Sequence, residues 1–252
     1  MRSFARPSHD VAFCAAILLA IATQTSSHAG PAFTPDPKAP LSSYVTLETE
    51  ADVYMMIAAW SSVPVTDEQL LERLSPAYSR ERDQFKRQEI GQRDLATIKA
   101  KIAQYQTQHY FAIKMGAVGL TGRPSDFLPI EPILAPFDLT KGTFAAGGTP
   151  CWTNIQLAVS GSQYASNLGT GLAFDKAGVA CDIKVTDVES AKRIEAVRSR
   201  FQTHLEGTIY FAVTDKAPPH AFVPVITTHV HAVVIDHGKL SRDHTVLSEF
   251  DL

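Results

Sequence analysis

IKAKIAQYQTQHYFAIKMG, residues 98 to 116, carries two structural periods in one short run. Up to Tyr105 the apolar positions Leu95, Ile98, Ile102 and Tyr105 recur at three-four spacing, the mark of one buried helix face. From His109 the run HYFAIKM is aromatic and β-branched between short polar flanks, which predicts a strand. The chain therefore switches from helix to sheet near residue 106. A second stretch, EAVRSRFQTHLEGTIYFAVTD (195 to 215), has the same order of amphipathic helix, Gln-Thr and aromatic strand. The two units fit either a pseudo-repeat or convergence on a common helix-to-strand pattern.

Upstream of the switch, residues 43 to 105 read as helical. Ala51, Tyr54, Met55, Ala58 and Ala59 repeat at helical spacing before Trp60, and Ser-Ser-Val-Pro ends that segment. Thr66 and Gln69 make a capping-box pattern ahead of Leu70, Leu71 and Leu74, and Ser75-Pro76 restarts the chain as N-cap and first-turn proline. SRERDQFKRQEIGQRD, dense in charge of both signs, reads as a solvated helix face.

Downstream, residues 106 to 252 read as β-rich with one inserted helix. Prolines 129, 132 and 136 exclude a central strand, so the segment around them is an edge strand or a packed connection. Strands are expected at 152 to 159, 171 to 175 and 179 to 185. Thr186 and Glu189 then cap TDVESAKRIEAVRSRFQTHL, whose stripe runs from Val188 through Ala191, Ile194, Val197 and Phe201 to Leu205, with Gly207 as the stop. Strands TIYFAVT, AFVPVI and HVHAVVI close the fold. The expected class is α+β: an N-terminal helical part packed with a mainly antiparallel sheet, one domain over residues 43 to 252.

The N-terminus has another character. Arg2 and Arg6 precede an uncharged apolar run from Val11 to Ala22 and a polar stretch ending Ser27-His28-Ala29, the pattern of a signal peptide over residues 1 to 29. The run is shorter than the ~20 residues that a spanning helix needs. Residues 30 to 42, GPAFTPDPKAPLS, have the composition of a proline-rich linker. The whole chain carries a formal charge of −3, and processing would remove two arginines and one aspartate. That balance gives no basic surface for nucleic acid. The expected location is periplasmic or secreted.

In that compartment Cys151 and Cys181, both outside the signal segment, are expected to form a disulfide. Each shares strand parity with its apolar neighbours, so both thiols face inward. The bridge would stabilise the fold by roughly 3 to 4 kcal/mol in the chain-entropy model.

Candidate chemistry concentrates in THVHAVVIDH, residues 228 to 237. On a strand His229 and His231 project to one face, ~6.6 Å apart at ~3.3 Å rise per residue. Two imidazoles at this spacing suit zinc or copper, with His220 and His237 among the further candidate ligands. Val230, Ala232 and Val234 form the more uniformly apolar face, which places the histidines on the solvent side. No Gly-x-Ser-x-Gly or Ser-x-x-Lys appears, and no glycine pair opens a helix as a phosphate cradle would. No catalytic residue is assigned. Phe127, Phe137, Phe144 and Trp152 cluster in and beside the irregular segment that leads to Cys151; they anchor it to the core or, if exposed, offer a patch for a partner or ligand.

The exported N-terminus, the Tyr44-to-Trp60 segment, PAYSRERDQF (76 to 85), PFDLTKGTF (136 to 144) and VTDVESAKRIEAV (185 to 197) together resemble an uncharacterised family of secreted bacterial proteins, known only as a domain of unknown function. The resemblance spans most of the chain after the signal segment. It implies a bacterial periplasmic setting and brings no activity. The favoured reading is a binding or interaction domain with no required cofactor, taking a protein or a small ligand as partner. Its alternatives are a metal-binding protein or metal-dependent hydrolase built on His229 and His231, and a structural component of an envelope complex.

Overall fold

A computed structural model describes residues 33–115, 133–147, 155–158, 171–175, 182–219, 221–236 and 245–252. All belong to one compact unit, Ala32–Leu252. The class is α+β, with four of the described α-helices between Glu50 and Gln106, a fifth inserted later, and two sheets.

Strand β1, Val45–Leu47, falls inside the stretch read as helical. Its three residues carry no local period. They are held by parallel pairing to a strand more than sixty positions away, Leu47 opposite Ile113. Helix α1, Glu50–Trp60, starts at a capping box: Asp52 N donates to Thr49 Oγ1 at 3.1 Å and Thr49 N donates to Asp52 Oδ2 at 3.0 Å. Its buried residues are Val53, Tyr54, Met56, Ile57, Ala59 and Trp60; of the expected stripe only Tyr54 and Ala59 are buried, while Ala51, Met55 and Ala58 are half-buried. The reason is that α1 is covered on two sides, by the main core and by a second cluster of Tyr54, Leu70, Leu71 and Ile98.

Helix α2, Asp67–Leu74, has the expected Thr66–Gln69 box, and α3, Pro76–Arg80, begins with Ser75 as N-cap and proline in its first turn. Helix α4, Gln84–Gln106, opens at Asp83 within the charged run. Gly91 lets it lie close against the earlier helices: a Cβ there would stand 3.2 Å from both Leu71 Cδ1 and Tyr78 Cε2.

Strand β2, Tyr110–Met115, follows as the period change requires. A small antiparallel sheet is formed by β3, Ile133–Asp138, β4, Thr143–Gly147, and later β7, Asp182–Lys184, in the order β3-β4-β7. Pro136 lies on the edge strand β3, beside a register slip between Leu134 and Phe137, so its missing N–H costs no ladder bond in a central strand. Strands β5, Ile155–Ala158, and β6, Gly171–Asp175, pair antiparallel.

Helix α5, Val188–Arg198, is shorter than the sequence reading. Asp187, not Thr186, is its N-cap, and it ends well before Gly207. Phe201 takes φ 58° in the turn, with Phe201 N bonded to Arg198 O at 2.9 Å and Gln202 N to Val197 O at 3.3 Å. That is a Schellman closure with phenylalanine in the position glycine usually fills. Leu205 keeps helical spacing to Phe201 but lies on β8, Thr203–Val213, where pairing with a distant strand prevails over local period. Gly207 sits mid-strand at φ 143°, and a Cβ there would be 1.9 Å from His231 O.

Strand β9, Val223–Asp236, joins two expected strands into one of 14 residues, and β10 is Thr245–Asp251. The large sheet runs β1-β2-β8-β9-β6-β5, with β10 also on β9. Parallel pairs are β1 with β2 and β6 with β9; the others are antiparallel. The two aromatic strands of the repeated pattern, β2 and β8, are antiparallel neighbours with Phe111 opposite Phe211.

A bulge in β9 decides which of its residues face the core. Register shifts between Tyr210 and Phe211 opposite Thr227 and His229, leaving Thr228 as the extra residue. Inward residues change from Val223, Val225 and Thr227 to Val230, Ala232 and Val234. The inner face carries the main core with α1, α5 and the small sheet, and the outer face carries His229 and His231.

Candidate functional site

Three strands assemble a polar cluster on the outer face. His229 and His231 share parity on β9 after the bulge, and register places Asp251 of β10 directly opposite His231. Mutual backbone bonds between Val230 and Leu252, at 2.9 and 2.8 Å, hold that register. His231 Nδ1 lies 2.9 Å from Asp251 Oδ1, and His229 Nε2 lies 3.6 Å from the same oxygen. The side chains are 27 % (His229), 36 % (His231) and 71 % (Asp251) exposed, which leaves them accessible to solutes. The hydrogen bond from His231, helped by the nearby imidazoles, holds the Asp251 carboxyl below its ordinary range.

Aromatic rings continue the surface across β8 and β2. Tyr210 is opposite His229 in register, their rings 5.3 Å apart. Tyr44 packs edge-on against both Tyr210 and Tyr110. Thr228 Oγ1 donates to Tyr210 O at 3.1 Å, so the 2.8 Å contact between Tyr44 Oη and Thr228 Oγ1 has Tyr44 as donor. Burial pushes the Tyr44 hydroxyl up. Part of the proline-rich stretch also lies here: Phe33 stacks on His109 at 3.8 Å, and Asp36 N donates to Tyr110 Oη at 2.9 Å. Local sequence does not mark Tyr44 or Asp251 as members of this face, because each joins it only through contact with distant strands.

The cluster has part of a nucleophile-activating arrangement, since a carboxylate orients an imidazole and Thr208 sits opposite His231 on β8. Among the described residues, however, no hydroxyl is hydrogen-bonded to His231. Nor, among them, does any group of three His, Cys, Asp or Glu side chains lie where it could hold a metal ion. His220 and His237 lie outside the described residues, as do Cys151, Cys181, Phe127 and Trp152.

Phe144 is fully buried and packs on Phe137 at 4.8 Å, so it anchors the small sheet to the core. Phe137 is half-buried and lines a groove of about 520 Å³ between α5 and the β3–β4 turn. Leu139 and Val188 border that groove, both exposed. The sequence offers no sign of it beyond the apolar residues themselves. A second groove, of about 580 Å³ between α2, α3 and α4, is polar, with Gln84, Gln88 and Gln92 along one helix face. Arg87 pairs with Glu72 there and stacks over the Tyr78 ring at 4.3 Å.

In comparison with known proteins, no family model, no curated protein and no solved structure matches the chain.

Proposed function

We propose that the chain is an exported binding or interaction domain that engages its partner through the outer face of the large sheet. One observation carries this reading: Tyr210, His229, His231 and Asp251 stand half-buried or exposed on paired strands, a polar and aromatic surface held in fixed register. Aromatic and hydrogen-bonding groups on a rigid scaffold suit recognition, and the hydroxyl that would turn the His–Asp pair toward catalysis makes no bond to it. No described helix is long and apolar enough to cross a membrane. Export rests on the signal pattern of residues 1 to 29, and we propose with it a periplasmic or secreted location and the Cys151–Cys181 disulfide.

The test is photo-cross-linking in envelope extract, with a reactive residue placed at Tyr210 or, as a control, at Gln88 on the exposed side of α4. A defined adduct from position 210 and none from position 88 is the expected result. Equal labelling from both positions, or none from either, would overturn the reading.

A further inference from the structure

We infer that the groove between α5 and the β3–β4 turn binds a free single-chain anionic amphiphile of the fatty-acid class, with its hydrocarbon chain in the groove and its carboxylate at Lys192. The site belongs to α5 and the small sheet, so it stands independently of the role given to the outer face of the large sheet.

Exposed apolar side chains are the first observation. Leu139 is 89 % exposed and Val188 64 %, and they border one groove instead of standing scattered over the surface. Each is set by local structure. Asp138 Oδ1 accepts from Thr140 N at 2.9 Å and from Lys141 N at 3.1 Å, which fixes the turn that carries Leu139. Val188 opens α5 directly after the N-cap Asp187.

Room and rigidity come next. Ala191 and Ala196 also line the groove, and their short side chains leave space that a longer one would fill. Phe137 N donates to Glu195 Oε2 at 3.2 Å, tying β3 to α5. Arg198 holds the same carboxylate from its other side, Nε–H to Oε2 at 2.8 Å and Nη2–H to Oε1 at 2.5 Å. The volume of about 520 Å³ falls in the ~300 to 1,000 Å³ range of small-molecule sites, and walls already held in place need no ordering when a ligand enters.

Charge names the head group. Glu195 lines the groove, but Arg198 neutralises it. Among the described lining residues the cation that remains is Lys192, whose partner Glu189 lies at the surface with it, their side chains 67 and 75 % exposed. Such a pair is weak in water, so an incoming carboxylate can take the place of Glu189. An apolar trough with one exchangeable cation at its rim matches a hydrocarbon chain that ends in an anion.

The full chain, isotope-labelled and freed of co-purified lipid, is titrated with octanoate, decanoate and dodecanoate below their micelle concentrations and followed by amide NMR. Saturable shifts are expected at Leu139, Val188 and Ala196, with affinity rising about twofold to fourfold for each added methylene. Ala196→Phe fills the groove from an exposed helix position, and Val188→Asp puts a carboxylate at its mouth where a helix start accepts one; each should weaken decanoate at least about tenfold. Lys192→Gln should weaken decanoate at least about threefold and leave decan-1-ol unchanged, and Phe85→Ser, at an exposed ring on α4, should change neither. The amide spectra themselves show that each variant keeps its fold. Affinity that ignores chain length, decyltrimethylammonium binding as tightly as decanoate, or no shift in the groove at all would overturn the proposal.

Discussion

Tyr105 donates its hydroxyl to Asp52 Oδ1 at 3.0 Å, tying the end of α4 to the first turn of α1. The Tyr105 ring is fully buried, and its carbonyl accepts from Trp60 Nε1 at 3.1 Å, so one residue clamps both ends of α1. Tyr105→Phe keeps the ring and removes the donor to a charged acceptor. We expect a loss of about 1.5 kcal/mol in urea unfolding. An unchanged midpoint would mean that the bond contributes nothing to stability.

The same carboxylate makes stability depend on pH. Burial raises the Asp52 pKa, but hydrogen bonds from Thr49 and Tyr105 and the charge of Lys101 outweigh it, so the net shift is downward. A carboxyl depressed in the folded state stabilises above its unfolded value of about 3.9, and that contribution fades as pH falls through the folded value. Asp52→Asn should therefore flatten the decline in stability between about pH 5 and pH 2. Parallel pH profiles for the two proteins would refute the assignment.

Gly207 is irreplaceable on two counts, its positive φ and the His231 carbonyl 1.9 Å from where a Cβ would stand. Gly207→Ala must separate β8 from β9 or strain the backbone. The expected cost is about 3 kcal/mol, read by thermal melting.

Thr227 is fully buried at the bulge, and its Oγ1 has no hydrogen-bond partner among the described residues. Thr227→Val preserves the branched shape and removes the unsatisfied hydroxyl, so a gain of about 1 kcal/mol is expected. A loss instead would show that the hydroxyl is bonded in solution.

Phe201 is 93 % exposed, which leaves little packing to offset its left-handed backbone. Phe201→Gly should stabilise the α5 C-terminus by about 1 kcal/mol, read by thermal melting. A destabilised variant would mean that the ring makes a stabilising contact in solution.

Local chemistry is what the sequence alone determined. The capping box at Thr66, the N-cap and first-turn proline at Ser75-Pro76, the change of period after Tyr105, the edge position of Pro136 and the inward face of Val230, Ala232 and Val234 all come from neighbours within a few residues, where side-chain spacing reports backbone conformation. Tertiary structure decided the rest. β1 exists only because β2 receives it; α5 stops at Arg198 because Thr203 onward is claimed by β9; and Asp251 becomes the partner of His231 only through strand register. Such pairings join distant segments, and a strand's own period of two tells which residues share a face but not which distant strand it meets.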